Sequence, residues 1–80
     1  MANRDDLRVW VHQAVGDLGG TAPIVDVAKM IWTRHEGELK KSGDLFFTWQ
    51  YDMRWAAQRL RDQGVFKDVS VVPRGIWAMT

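Results

Sequence analysis

Apolar residues return every three or four positions through most of the chain, and that spacing lays out three helices. From Asp6 to Leu18 the stripe is Leu7, Trp10, Val11, Ala14, Val15 and Leu18, with Arg8, His12, Gln13 and Gly16 facing water. Asp5 or Asp6 suits the first turn, where a carboxylate meets the positive end of the helix dipole, and Gly19-Gly20 ends the element. Thr21-Ala22 is a short extended stub. Pro23 suits the first position of a second helix, where its missing N–H has no intrahelical partner. Ile24, Val27, Ala28, Ile31, Trp32, His35 and Leu39 carry the period on to Lys40-Lys41, whose charges suit a helix C-terminus, while Gly37 weakens the last turn.

Ser42-Gly43-Asp44 reads as a turn, and Leu45-Phe46-Phe47 as an apolar link that anchors the entry to the next helix. Thr48 is the expected N-cap; Trp49, Met53, Ala56, Ala57 and Leu60 then share one face, and Gly64 stops a helix predicted over about 49–63. Beyond it the period changes. Val65-Phe66, Val69, Val71-Val72 and Ile76-Trp77 are β-branched or aromatic and enclose the turn signal Pro73-Arg74-Gly75, which predicts a hairpin over about 65–79. Asp68-Val69-Ser70 fits either a bulge or an irregular tip within it.

No repeat, linker or low-complexity segment divides the chain, so residues 1–80 read as one domain. The fold class is α+β: three helices followed by a small C-terminal β-hairpin is the order of a winged helix-turn-helix, with the stub free to add a third strand. A three-helix bundle with an unpacked tail would leave Phe66, Ile76 and Trp77 without a core.

Composition narrows the function classes. At 80 residues there is room for one core and little for a buried active site. Five Trp supply large apolar areas in place of the disulfides that many small domains use, since there is no Cys. Without Cys, and without an apolar run that would serve as signal peptide or membrane span, a cytoplasmic protein with no membrane role is expected. The formal charge is +1, but it is unevenly placed: residues 1–39 hold four cations against six carboxylates, and residues 40–80 hold seven against four. Any polyanion would therefore meet the second half.

The run Trp49-Gln50-Tyr51-Asp52-Met53-Arg54-Trp55-Ala56-Ala57-Gln58-Arg59-Leu60-Arg61, followed by Gly64-Val65 and by Arg74-Gly75-Ile76-Trp77, resembles the N-terminal winged-helix domain of Mrr-like restriction systems. That family has a W-x-x-x-x-x-W-A-x-x-x-L helix ending near a Gly and a wing whose return strand opens with Arg-Gly. Gly19-Gly20 ahead of the second helix also fits, so the resemblance spans nearly the whole chain. It implies a DNA-recognition module; no nuclease follows the wing in these residues, and cleavage is not implied.

In such a module the third helix reads double-stranded DNA. Its face opposite the core stripe holds Tyr51, Arg54, Trp55, Gln58 and Asp62, flanked by Gln50 and Arg61. Arg pairs two donors with guanine and Gln pairs with adenine, so Arg54, Gln50 and Gln58 are candidate base readers. Arg74 at the wing tip, Lys67 near it, and Lys41 before the helix are candidate phosphate contacts. A solvated polar face is the plain alternative for all of these. Tyr51 and Trp55, one turn apart and outward, support a different reading: a protein-interaction module or homodimer, or cover by the domain's own loop before Thr48. Val9 and Met30, apolar and off the stripes, are candidates for a dimer surface.

No catalytic or metal constellation emerges. His12 and His35 lack partners at ligand spacing; His12 is expected to face water, and His35 to sit at least half buried with one nitrogen hydrogen-bonded. Ser42 and Ser70 lie in turns without a paired base, and Asp5-Asp6 and Glu36-Glu38 are helix-end charges. A non-enzymatic binding domain without cofactor is the expectation.

Overall fold

The computed structural model describes residues 2–80. Three helices, α1 (Arg4–Asp17), α2 (Ile24–Lys40) and α3 (Leu45–Asp62), combine with two short strands, β1 (Thr21–Pro23) between α1 and α2 and β2 (Ile76–Ala78) after α3, making an α+β domain. A single 3-10 turn, Val69–Val71, lies between α3 and β2.

Each helix begins and ends for local reasons. Asn3 caps α1: its side chain accepts from the N–H groups of Asp5 and Asp6, and the Asp6 carboxylate accepts from the Asn3 N–H at 3.0 Å. At the other end Gly19, at φ 101°, donates to the Gly16 carbonyl while Gly20 donates to that of Val15, the paired 5→2 and 6→1 bonds that close a helix on a left-handed residue. Helix α3 ends the same way: Gly64 (φ 77°) donates to Arg61, and Val65 donates to Leu60. Leu60 is buried and Val65 packs on the core, so the closing turn also delivers the chain to the apolar interior.

The core is built mainly between α1 and α3. Leu7, Val11 and Val15 of α1 are fully buried together with Ala56 and Ala57 of α3, whose small side chains let the helix lie close. Val27, Ile31 and Leu39 close it from α2, and Phe66 and Trp77 from the C-terminal segment, their rings 6.5 Å apart. Trp10 stacks on His35 at 3.7 Å with planes 5° apart, at the point where His35 leaves helical geometry (φ −126°, ψ 18°) and kinks α2. Ser42 joins the ends of the layer: its hydroxyl oxygen accepts from the Ala2 N–H at 3.0 Å and it donates to the Glu38 carbonyl.

Strands β1 and β2 pair antiparallel with Thr21 opposite Ala78, Ala22 opposite Trp77 and Pro23 opposite Ile76. Backbone bonding around this ladder and at the start of α3 corrects three expectations. Pro23 is not the first helical residue; it ends the strand in extended geometry (ψ 144°), and the N–H of Ile24, which would be unpaired at a helix start, donates to the Gly75 carbonyl at 2.9 Å. The expected 65–79 hairpin is reduced to one bridge among the described residues, Phe66 to Met79, because a 3-10 turn at Val69–Val71 takes its first arm out of extended geometry, while the other edge of β2 pairs with β1. Its tip is irregular: the Asp68 carboxylate accepts from the Ser70 hydroxyl at 2.6 Å and the Ser70 N–H at 3.3 Å, a local turn that takes Val69 and Val71 out of extended geometry.

The third correction concerns the start of α3. The N–H groups of Leu45 and Phe46 donate to the Ser42 and Gly43 carbonyls, so the turn runs directly into the helix and no side-chain cap is present. Helix α3 therefore starts at Leu45, one turn before Trp49, and Thr48 is an interior residue whose hydroxyl donates to Asp52 at 2.7 Å.

Two glycine substitutions of opposite sign test this account. Gly64→Ala forces a side chain into left-handed geometry and lowers unfolding free energy by about 1–2 kcal/mol. Gly37→Ala adds a methyl that meets no atom within 4 Å inside α2 and raises it by about 0.5–1 kcal/mol. Urea denaturation of the two variants reads both signs.

Candidate nucleic-acid interface

The early start of α3 decides which side chains its outer face carries. Phe47, expected to anchor the helix entry, lies in the first turn and is 82% exposed; Tyr51, one turn on, is 78% exposed. Gln50 and Arg54 run beside them, both exposed, with no hydrogen bond or ion pair to their side chains among the described residues. The C-terminal half of the face is different. Gln58 donates to Asp62 at 3.0 Å and accepts from Arg61 at 3.2 Å, and Arg59 lies 3.9 Å from Asp62, so these side chains hold one another.

Trp55 does not face outward as expected. The Arg4 guanidinium, at the start of α1, lies 3.8 Å from its ring centroid and leaves it half buried. The cover comes from α1 and not from the loop before Thr48. The exposed aromatic pair is thus Phe47–Tyr51, and the signal for it was in the sequence: Leu45 precedes Trp49 by four residues and extends the buried stripe backward, which places Phe47 outside.

The segment between α3 and β2 brings more cations to this side. Arg74 is exposed in a turn closed by the Ile76 N–H on the Pro73 carbonyl, with Gly75 at φ 79°. Arg61 and Arg74 line one recess together with Pro73 and Trp77, and Gly75 shares a second recess with Gln50 and Arg54. Gln50 with Arg54 and Arg61 with Arg74 thus form two pairs in neighbouring recesses that meet at Ile24 and Gly75. Lys67 is exposed further along, its backbone fixed by an N–H to the Ala78 carbonyl at 2.8 Å, and Lys41 is exposed at the C-terminal cap of α2.

A groove of about 500 Å³ opens between α2 and α3, which touch over a shorter stretch than α1 and α3 do. Trp32, Trp49 and Phe46 form its floor, the two indoles stacked at 5.9 Å, with Val25 and Ala28 on one wall and Lys29 and Gln50 on the rim. Val25 is 58% exposed. The helical period does not disclose this groove, because it arises from the divergence of two helices and not from either stripe alone.

Other expectations are revised. His12 is half buried, edge-on to Phe66 at 6.4 Å, and does not simply face water. His35 is half buried, as expected, with Nδ1 3.5 Å from the Glu38 carboxylate. Met30 packs partly against the core, which leaves Val9 as the exposed member of that pair. Among the described residues no three His, Cys, Asp or Glu side chains converge on a metal-sized space, and no helix is long and apolar enough to cross a membrane.

Asp68, beside the cationic recess, has its carboxyl held below the usual value of 3.8 by the Ser70 hydroxyl, then by the Ser70 N–H, with Arg61 adding attraction. A depressed carboxyl contributes fully above its unfolded value, and its contribution fades as pH falls through the lower folded one. A carboxyl NMR titration is expected to place the Asp68 midpoint below 3.8, and Ser70→Ala to raise it. An unmoved midpoint in Ser70→Ala would remove the Ser70 hydroxyl as its main cause. Arg4→Ala is expected to cost about 0.5–1 kcal/mol, the value of an exposed cation–π contact, and to increase quenching of Trp55 fluorescence by acrylamide. No family model, curated protein or solved structure matches the chain.

Proposed function

We propose that this chain is a winged-helix module that binds double-stranded DNA, related to the N-terminal domain of Mrr-like restriction systems, with α3 in the major groove and the 65–79 segment as the wing. The observation that carries the reading is the state of Gln50 and Arg54: one turn apart on α3, exposed, and without an intramolecular partner among the described residues, while Gln58, Arg59, Arg61 and Asp62 of its C-terminal half are paired with one another. Side chains of these two types suit adenine and guanine edges. Arg74 and Lys67 of the wing, with Lys41 and Lys29 from α2, serve as phosphate contacts around them. Binding rests on positioned donors and cations, and the module is not an enzyme.

In this reading Gln58 and Arg61 contribute only after breaking the bond between them and, for Gln58, its bond to Asp62, so they are weaker candidates than Gln50 and Arg54. Trp55 acts as a support for α3 through Arg4. The low net charge limits non-specific affinity, since phosphate neutralisation supplies most of it.

A second reading is favoured by one observation. Phe47 and Tyr51, both mostly exposed and one turn apart, suit the hot spot of a protein or homodimer interface better than a phosphate surface. The two readings separate on salt: DNA binding weakens steeply as salt rises, and an aromatic protein interface is nearly insensitive.

Titration with mixed-sequence duplex DNA, followed by Trp fluorescence at low and near-physiological salt, tests the first reading. Arg54→Ala is expected to weaken binding to a preferred site by about 1–3 kcal/mol. Arg74→Ala is expected to make the dependence of log affinity on log salt shallower by about 0.9, one phosphate contact. Absence of duplex binding even at low salt removes the DNA reading.

A further inference from the structure

The groove between α2 and α3 is the largest apolar recess described above, and its chemistry is one-sided. Its floor is aromatic, and every charged group that lines it or its continuation toward Gly75 is a cation: Lys29 on the α2 rim and Arg54 on the α3 rim. At the far end the Lys40 ammonium, 5.9 Å from the centre of the Trp32 ring, is already paired with Glu36 at 3.7 Å, so the cations open to a partner are Lys29 and Arg54. No carboxylate lines either recess. The α2 wall from Val25 to Trp32 is about 10 Å long, two helical turns.

We propose that this groove receives an acidic amphipathic helix from a partner protein, its apolar side chains seated over Trp32 and Trp49 and its carboxylates facing Lys29 and Arg54. The mode is helix-in-groove docking, in which two turns of helix supply apolar anchors at i, i+3 and i+4. Charge selects this occupant over a second copy of the chain, because a two-fold pairing through the groove sets Lys29 and Arg54 of one copy against the same cations of the other. Gln50 and Arg54 belong both to the groove and to the row assigned above to base reading, so a seated helix excludes DNA from α3. That exclusion rests on the DNA reading; occupancy of the groove does not.

The test is a selection of randomised display peptides of about 14 residues, roughly four helical turns, on the full 80-residue chain. Enriched peptides are expected to combine Asp or Glu with apolar residues at i, i+3 or i+4. Their affinity is expected to fall about tenfold or more in Lys29→Glu and in Val25→Asp, both exposed positions whose substitution leaves the core untouched. The proposal is overturned if no peptide is enriched, if enriched peptides are basic or indifferent to charge, or if binding survives both substitutions. Self-association of the chain that Val25→Asp abolishes would overturn it in favour of a second copy. Duplex binding measured on the same protein keeps the two readings apart: peptide capture without duplex binding leaves the groove assignment and removes the DNA reading, and duplex binding without peptide capture does the reverse.

Discussion

The three-residue ladder between β1 and β2 is the constraint on which the rest of the architecture hangs. It is short, but it is extended at both ends by backbone bonds, Ile24 N–H to Gly75 O at 2.9 Å and Met79 N–H to Gly20 O at 2.8 Å. At its centre Ala22, 2% exposed, stands opposite Trp77, 3% exposed: a small residue leaves room for a large one, and the indole then closes the core beside Phe66. Because the ladder holds both the start of α2 and the end of the 65–79 segment, it places Arg74 and Gly75 beside α3. The candidate interface thus depends on a strand pair that contributes none of its own side chains to the Gln50–Arg54 row.

A chain of this size without disulfides must draw its stability from apolar burial and local closure. Its Trp residues meet that need in different ways. Trp10, Trp49 and Trp77 are buried, and Trp32 and Trp55 remain partly open, one as groove floor and one beneath a guanidinium. No indole N–H is sealed away without a partner among the described residues; the one buried side-chain nitrogen or oxygen there without a hydrogen bond is Arg8 Nε, which lies 3.9 Å from the Asp5 carboxylate. Large rings are thus accommodated without the desolvation cost of an orphaned donor.

The helical stripes and the glycines that end α1 and α3 were legible in the sequence, because a 3.6-residue period and a left-handed stop are local properties. What was not legible came from long-range or competing bonds. Thr48 looked like a cap because the Ser42 and Gly43 carbonyls that receive the first N–H groups of α3 leave no trace in residue type. Trp55 looked outward because helical phase ignores Arg4, which arrives from the other end of the chain. Val69 and Val71 looked like strand, and a carboxylate two residues from a serine overrode their preference. Of the candidate site, Gln50, Arg54 and Arg74 could be read from helical phase and turn chemistry, and Phe47 from the backward extension of the buried stripe to Leu45; Lys29 and the groove could not, since they depend on how α2 diverges from α3.

The partnership of Ala22 with Trp77 also orders events in time. The stub that receives β2 lies between the first two helices, while its partner comes after the third, so a ribosome releases all three helices before the strand that seals them. During that interval the backbone groups of residues 21–23 and the space that Trp77 will fill are open to water and to other chains, the exposure that non-local strand pairing entails. Synthesis of this domain therefore carries a brief window for misassembly, which closes only when β2 pairs with β1 and Trp77 fills that space.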